Sequence, residues 1–163
     1  MPLPDADTQI RILRRQPIVA PAVPLPAVET LIPHRPPALR VGSLTGFDAE
    51  ARAVTAEWFC DPADPAFAGH FPETPVLPAT VQTEAMAQTG ACLLALHQGR
   101  PCRQVRLTRF HRAEFLRAVS PGETLTLTAG LLEVNSLLAV FAAQVIVDSR
   151  ICAAAILEAH LYD

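Results

Sequence analysis

The chain has 163 residues, which suits one domain of ordinary size; half of them are hydrophobic and 18% are charged. This composition can bury a sizeable core, which excludes a globally disordered protein. The formal net charge of −3 excludes a nucleic-acid binder that works by bulk charge. The 13 basic residues are all arginine, so a lysine Schiff base and a P-loop lysine are excluded as well.

The N-terminal part of the chain differs from the rest. Six of the 16 prolines fall within the first 26 residues, and proline cannot donate regular ladder hydrogen bonds. We therefore expect residues 1–28 to form a proline-rich extension and residues 29–163 to form the folded domain. No apolar segment typical of a signal peptide is present, and the near-apolar stretches around 85–96 and 137–147 are too short to span a bilayer. These features predict a soluble, cytoplasmic protein that avoids membranes.

The hydrophobic pattern then predicts one long helix. Residues 51–60 alternate like a half-buried strand, and turn-forming residues follow it. A loop punctuated by proline, residues 69–78, leads to a proline-free run from Ala79 to about His97 that is rich in Ala, Leu, Met and Gln. This run is typical of a helix that starts after Pro78, and its nearly all-round apolar surface indicates burial on most sides.

Four runs suited to strands follow the helix, separated by tight turns. They are Gln104–Arg117, Thr124–Val134, Leu138–Val147 and Ile151–Leu161. One long buried helix followed by antiparallel strands predicts an α+β fold in which the sheet wraps around the helix. A single helix covers only one face of the sheet, so we expect a second protomer to extend it.

Two polar residues lie where this pattern predicts burial. His70 stands in the constrained loop before the helix, and Glu84 stands on the helix among Val81, Ala85 and Ala87. Burial of an ionised carboxylate is costly unless it is paired or protonated. Glu84 therefore suits a general acid, and a neutral His70 suits a base. The four cysteines have no CxxC or histidine spacing for a metal, so we expect reduced thiols, no metal and no cofactor.

Four motifs in this order resemble those of the FabZ-type β-hydroxyacyl-ACP dehydratases over residues 29–163. They are Leu-Ile-Pro-His-Arg-Pro at 31–36, Gly-His-Phe-Pro with Pro-Val-Leu-Pro at 69–78, Glu-Ala-Met-Ala-Gln at 84–88, and the run at 113–123. The resemblance implies a hotdog fold, an antiparallel sheet wrapped around one long central helix. Glu84 is similar to the acid of the FabZ type, whereas the FabA-type isomerases carry Asp there.

The resemblance also implies a mechanism. His70 would remove a proton from C2 of a (3R)-3-hydroxyacyl thioester carried by acyl carrier protein, and Glu84 would help to expel the C3 hydroxyl as water. The product is a trans-2-enoyl thioester of fatty-acid or polyketide-type biosynthesis. The residues of one site come from two protomers, so a homodimer or higher homo-oligomer is expected. His34 and Arg35 are expected to support the loop or the substrate path rather than to catalyse.

The thioester would lie at the N-terminus of the helix, beside the backbone N–H groups of Ala79 and Thr80. Further substrate contacts are implied for Phe71, Val76, Pro78 and Gln88. The chain departs from the family by having Ala79 where glycine is usual. The added methyl would crowd the thioester, or change the backbone if that glycine had a positive φ.

Arginines are concentrated between Arg100 and Arg117, with Glu114 as the single acid among them. Acyl carrier proteins are acidic, so this patch suits a docking surface, with contacts expected from Arg103, Arg106, Arg112 and Arg117. A spacing of three residues would place successive arginines on opposite faces of a strand, so they are not expected to meet one partner together.

Two other functions remain open at this point. A hotdog thioesterase would use a carboxylate on the same helix to direct water at the thioester, but would not need the Gly-His-Phe-Pro run. A non-catalytic hotdog subunit would bind acyl-ACP within a heteromeric dehydratase; the presence of His70 and Glu84 speaks against it, and Ala79 keeps it open.

Overall fold

The computed structural model describes residues 24–162. They form one six-stranded antiparallel sheet in the order β1-β2-β4-β5-β6-β3. The strands are β1 (Ser43–Asp48), β2 (Ala53–Phe59), β3 (Val105–Phe115), β4 (Thr124–Val134), β5 (Leu138–Val147) and β6 (Arg150–Leu161). The α-helices are the short α1 (Val28–Leu31) and the long α2 (Ala79–Gln98), with a 3₁₀ turn at Pro65–Phe67. The expected extension over 1–28 falls mostly on residues outside the described range.

The predicted central helix is confirmed and ends one residue later than expected. Pro78 precedes its first turn, and Gly99 ends it in the left-handed conformation with φ of 65°. The Gly99 N–H donates to the carbonyls of Ala95 and Leu96, which is a typical helix stop. No helix of residues 24–162 is long and apolar enough to cross a lipid bilayer.

The sheet packs its concave face against α2, as expected for an α+β hotdog fold. Alternate residues of β4, β5 and β6 join the helix in one buried core, among them Leu127, Phe141 and Leu157. Phe141 lies so close to the helix that a Cβ added at Gly90 would stand 2.2 Å from its ring. Only glycine permits this approach of strand to helix, and it sets the distance between the two layers.

The four strands predicted after the helix are confirmed, whereas β1 was not predicted. β1 is short, and its register shifts at a bulge between Leu44 and Gly46. Only Gly46 of its six residues is buried, so the strand carries no apolar alternation. The β5–β6 turn at Asp148 and Ser149 was predicted, and both residues have positive φ, as a tight hairpin turn requires.

The edge strand β3 corrects the expectation about its arginines. Two register shifts interrupt its pairing with β6, between Leu107 and Arg109 and between Phe110 and Arg112. Each bulge adds one extra residue to β3. Two arginines that are three residues apart on β3 therefore point to the same side of the sheet. As a result, three arginines of β3 face alternate residues of β6 and form a row on one face of the sheet. The pairs are Arg106 with His160, Arg109 with Glu158, and Arg112 with Ile156.

Candidate active site

The loop that carries His70 is closed by its own backbone. The His70 N–H donates to the Phe67 carbonyl at 3.1 Å, and the Val76 N–H donates to the His70 carbonyl at 2.9 Å. The next residue, Leu77, donates its N–H to the Val119 carbonyl at 2.8 Å. These bonds tie both ends of the loop to the rest of the chain and hold the His70 backbone in place.

The His70 ring is oriented by the same loop. Its Nδ1 lies 2.9 Å from the carbonyl oxygen of Val76, and a carbonyl oxygen only accepts. In the neutral ring Nδ1 therefore carries the proton, which leaves the Nε2 lone pair available as a base. The ring also stacks on Phe71, with centroids 4.5 Å apart.

The start of α2 offers free backbone donors. Pro78 provides no side-chain cap, and its carbonyl accepts only from Val81 and Gln82. Among residues 24–162 no acceptor bonds the N–H groups of the exposed residues Ala79 and Thr80, so both are free donors at the positive end of the helix. Positive φ occurs at Arg52, Asp148, Ser149 and three glycines, not at residue 79, so Ala79 adopts the helical backbone without strain.

Glu84 lies one turn further along the same helix. We expected its side chain to be buried among apolar neighbours, but 46% of it is exposed in the single chain. The reason is an open groove of about 430 Å³ between α2 and β3, which Glu84 borders together with Ala79 and Thr80. The opposite wall is apolar, and its rings Phe110 and Phe115 are 50% and 45% exposed. His70 does not line this groove.

Two nitrogen atoms approach one oxygen of the Glu84 carboxylate. The Gln88 side-chain amide donates to Glu84 Oε1 at 2.7 Å, and His34 Nε2 lies 3.6 Å from the same oxygen. The Gln88 amide also donates to the Ala38 carbonyl at 2.8 Å and accepts from the Arg40 N–H at 2.7 Å. Both the NH₂ group and the oxygen of the Gln88 side-chain amide are thus hydrogen-bonded within the chain. We expected His34 to support the loop or the substrate path, not to approach Glu84; its place in the first motif was the available signal.

Behind the carboxylate lies a small, partly open cavity of about 100 Å³. His34, Glu84 and Gln88 form its polar side, and apolar residues of α2 and the sheet line the rest. Glu84 therefore stands between this cavity and the open groove, with Oε1 on the side of His34 and Gln88.

The remaining expected substrate contacts lie in the His70 loop and do not line the groove, and the expected docking residues lie along the edge of the sheet. Phe71 is 57% exposed, and Val76 and Pro78 connect the His70 loop to the helix. Of the arginines expected to dock a carrier, Arg106 lies over the Tyr162 ring, 4.7 Å from its centroid, and Arg112 pairs with Glu114. The exposed Arg103 and Arg117 flank the ends of β3.

The cysteines contribute no nucleophile to this site. All four are buried and unpaired. Burial raises the pKa of the Cys92 thiol to about 12, and burial, with the charge of Asp64, raises the pKa of Cys60 to about 12. Thiols of this kind stay protonated and unreactive near neutral pH.

Comparison with known proteins identifies close relatives in sequence. The family model described as ApeI-like, ApeI dehydratase, matches residues 47–153. The chain is 34% identical over 146 residues to the 3-hydroxyacyl-[acyl-carrier-protein] dehydratase FabZ of Chlamydia abortus, covering 88% of this chain and 95% of that protein. It is 37% identical over 135 residues to FabZ of Chlamydia pneumoniae, covering 82% and 88%.

Solved structures share the fold. The dehydratase heterocomplex ApeI:P from Xenorhabdus doucetiae matches with a TM-score of 0.75 at 14% identity, covering 86% of this chain and 93% of that chain. The E. coli PaaI protein from the phenylacetic acid degradation operon matches with a TM-score of 0.57 at 15% identity, covering 72% and 81%. At these identities the likeness concerns the fold alone.

Proposed function

We propose that this chain, which belongs to the ApeI-like dehydratase family and is a lyase related to FabZ, removes water from 3-hydroxyacyl-ACP with His70 as base and Glu84 as acid. The observation that carries the assignment of roles is the His70 ring. Its Nδ1–H points to the Val76 carbonyl, so its free Nε2 is the one nitrogen that can accept a proton from substrate.

The reaction balances on these two side chains. His70 Nε2 takes the proton from C2, and the electron pair of that C–H bond forms the C2–C3 double bond. The C3–O bond breaks, and the leaving oxygen takes a proton from Glu84 and departs as water. The thioester oxygen accepts from the free N–H groups of Ala79 and Thr80, where each such donor is typically worth about 3–4 kcal/mol in the transition state.

The complete site needs a second copy of the chain. Glu84 borders a groove that His70 does not line, so one chain alone does not present both groups to one substrate there. β3 is an edge strand, and the groove beside it exposes Phe110 and Phe115. An unpaired edge next to exposed rings favours pairing with another strand. A homodimer joined at β3 would place His70 of one protomer beside Glu84 of the other.

Acyl carrier protein suits the row of arginines on β3. Arg106, Arg109 and Arg112 share one face, and Arg103 and Arg117 extend the positive charge beyond both ends of the strand. Arg109 was not among the expected docking residues; the bulges bring it into the row. A row of this kind would attract an acidic carrier to this edge of the sheet, on the face opposite to the side chains that line the groove. Four unpaired cysteines suit the reducing cytoplasm as the place of reaction.

The deciding experiment uses the purified full chain and a 3-hydroxyacyl-ACP, with products identified by mass spectrometry. Loss of one water that disappears in His70→Ala supports the proposal. Release of the free acid would identify a thioesterase instead. Unchanged substrate that stays bound to the protein would identify a non-catalytic subunit of a heteromeric dehydratase.

A further inference from the structure

Glu84 holds its carboxylate in an asymmetric environment. Both neighbouring nitrogens, Gln88 Nε2 and His34 Nε2, approach Oε1, at 2.7 and 3.6 Å. Among residues 24–162 no hydrogen bond reaches Oε2. The second distance exceeds a hydrogen bond, but hydrogen bonds in active sites are often long before substrate binds and shorten in the complex.

The loop that carries His34 is held rigidly. The guanidinium of Arg35 donates to three backbone carbonyls, those of Glu29 at 3.0 Å, Ile32 at 3.0 Å and His34 at 2.6 Å. The Leu31 carbonyl accepts from the Cys102 N–H at 2.8 Å. Because these bonds anchor the backbone at His34, the fold fixes where its side chain begins, and only the side-chain torsions remain to shorten the distance from its ring to Glu84.

The other nitrogen of the His34 ring identifies the proton position. Nδ1 is buried and has no hydrogen-bond partner. A buried N–H without an acceptor is costly and rare, whereas an unprotonated lone pair is more readily tolerated. The neutral ring protonated at Nε2 is therefore favoured, and this tautomer directs an N–H toward Glu84.

We propose that His34 is a positioning residue that acts with Gln88 to hold Oε1 of Glu84, so that the acidic proton resides on Oε2 and faces the groove. A protonated carboxyl has one O–H, and it avoids the oxygen that already faces N–H donors. The carboxyl then presents its proton to the leaving hydroxyl in a fixed direction. This inference rests on the proposed function of Glu84 and adds a residue to it.

Steady-state kinetics with 3-hydroxyacyl-ACP tests the positioning role. His34→Ala is expected to lower kcat about 100-fold with little change in KM, because a misplaced catalytic group costs about that much. His34→Gln, whose amide N–H reaches a similar place, is expected to restore most of the rate. His97→Ala, an exposed histidine on α2, is the matched control and should leave kcat unchanged. Circular dichroism and thermal midpoints confirm that each variant is folded.

A folded His34→Ala with nearly unchanged kcat overturns the proposal. A folded His34→Gln that remains as slow as His34→Ala overturns it too, because donation rather than ring shape is the proposed role.

Nitrogen-15 NMR of the imidazole rings decides the same question without turnover. The His34 ring is expected to be protonated at Nε2, and its Nε2 resonance should move in Glu84→Gln while that of His97 stays in place. A ring protonated at Nδ1, or one that ignores Glu84→Gln, overturns the proposal. If the wild type shows no dehydration, the proposed function fails while the NMR result still decides the role of His34.

Discussion

The Nδ1 atom of His70 lies 2.9 Å from the carbonyl oxygen of Val76. This single bond assigns the ring tautomer, because the acceptor has no proton to give. It also spans the loop from His70 to the residues just before the helix, so the backbone that places Ala79 and Thr80 places the His70 ring as well. His70 and the free N–H groups are thus built by one continuous segment.

His70→Ala is expected to lower kcat for dehydration by about 100-fold to 10,000-fold, the usual contribution of a positioned base. His70 is only partly buried, so the thermal midpoint should change little. Stopped assays with 3-hydroxyacyl-ACP measure the rate. Full activity in a folded His70→Ala would remove this residue from the mechanism.

Glu84→Gln is expected to be inactive alone, but mixing it with inactive His70→Ala should restore activity if each site is shared between protomers. Each mixed dimer then holds one site with both wild-type residues. Random exchange should recover about a quarter of the wild-type rate, because half of the dimers are mixed and half of their sites are intact. Mixtures as inactive as the parents would show that both residues act within one chain.

Gly90→Ala is expected to destabilise the fold by about 1–3 kcal/mol, the usual cost of overpacking a core. The added Cβ would stand 2.2 Å from the Phe141 ring. Urea unfolding measures the loss, and Phe141→Leu combined with Gly90→Ala should recover part of it relative to the sum of the single changes. Strict additivity would mean that the two side chains do not compete for space.

Arg109→Gln should raise KM for an acyl-ACP substrate several-fold without changing KM for a short thioester that lacks the carrier. The effect should fade at high salt, because exposed charges are screened. Arg150→Gln, an exposed arginine at the β5–β6 turn, is the matched control. If the two substitutions raise KM for acyl-ACP equally, the arginines of β3 have no special role in carrier docking.

Alkaline pH should weaken the fold through its buried thiols. Burial raises the pKa of Cys92 from 9.0 to about 12, so the folded state holds this proton more tightly than the unfolded chain. The resulting stability is complete below pH 9 and is lost as the pH rises toward 12. Urea unfolding at pH 8 and pH 10 measures the change, and Cys92→Ala should lessen it. If Cys92→Ala leaves the pH dependence of stability unchanged, the loss of stability arises from groups other than Cys92.

Local patterns in the sequence were enough to place the central helix, five of the six strands and the two catalytic candidates. The helix from Ala79 is proline-free and apolar on nearly all sides, and Pro78 and Gly99 mark its ends. These signals act within a few residues and need no partner, so they predict structure directly. The motifs around His70 and Glu84 likewise single out these two residues as candidates, since their order and spacing are linear properties.

Only the tertiary structure decided which side chains meet. His34 reaches Glu84 because α1 and its loop pack beside α2, although the two residues are 50 positions apart. Arg106, Arg109 and Arg112 share a face because two bulges in β3 shift its register against β6, and a register belongs to a pair of strands. Glu84 is half exposed because the groove beside β3 lies open. Contacts, registers and exposure depend on segments distant in sequence, so no local pattern determines them.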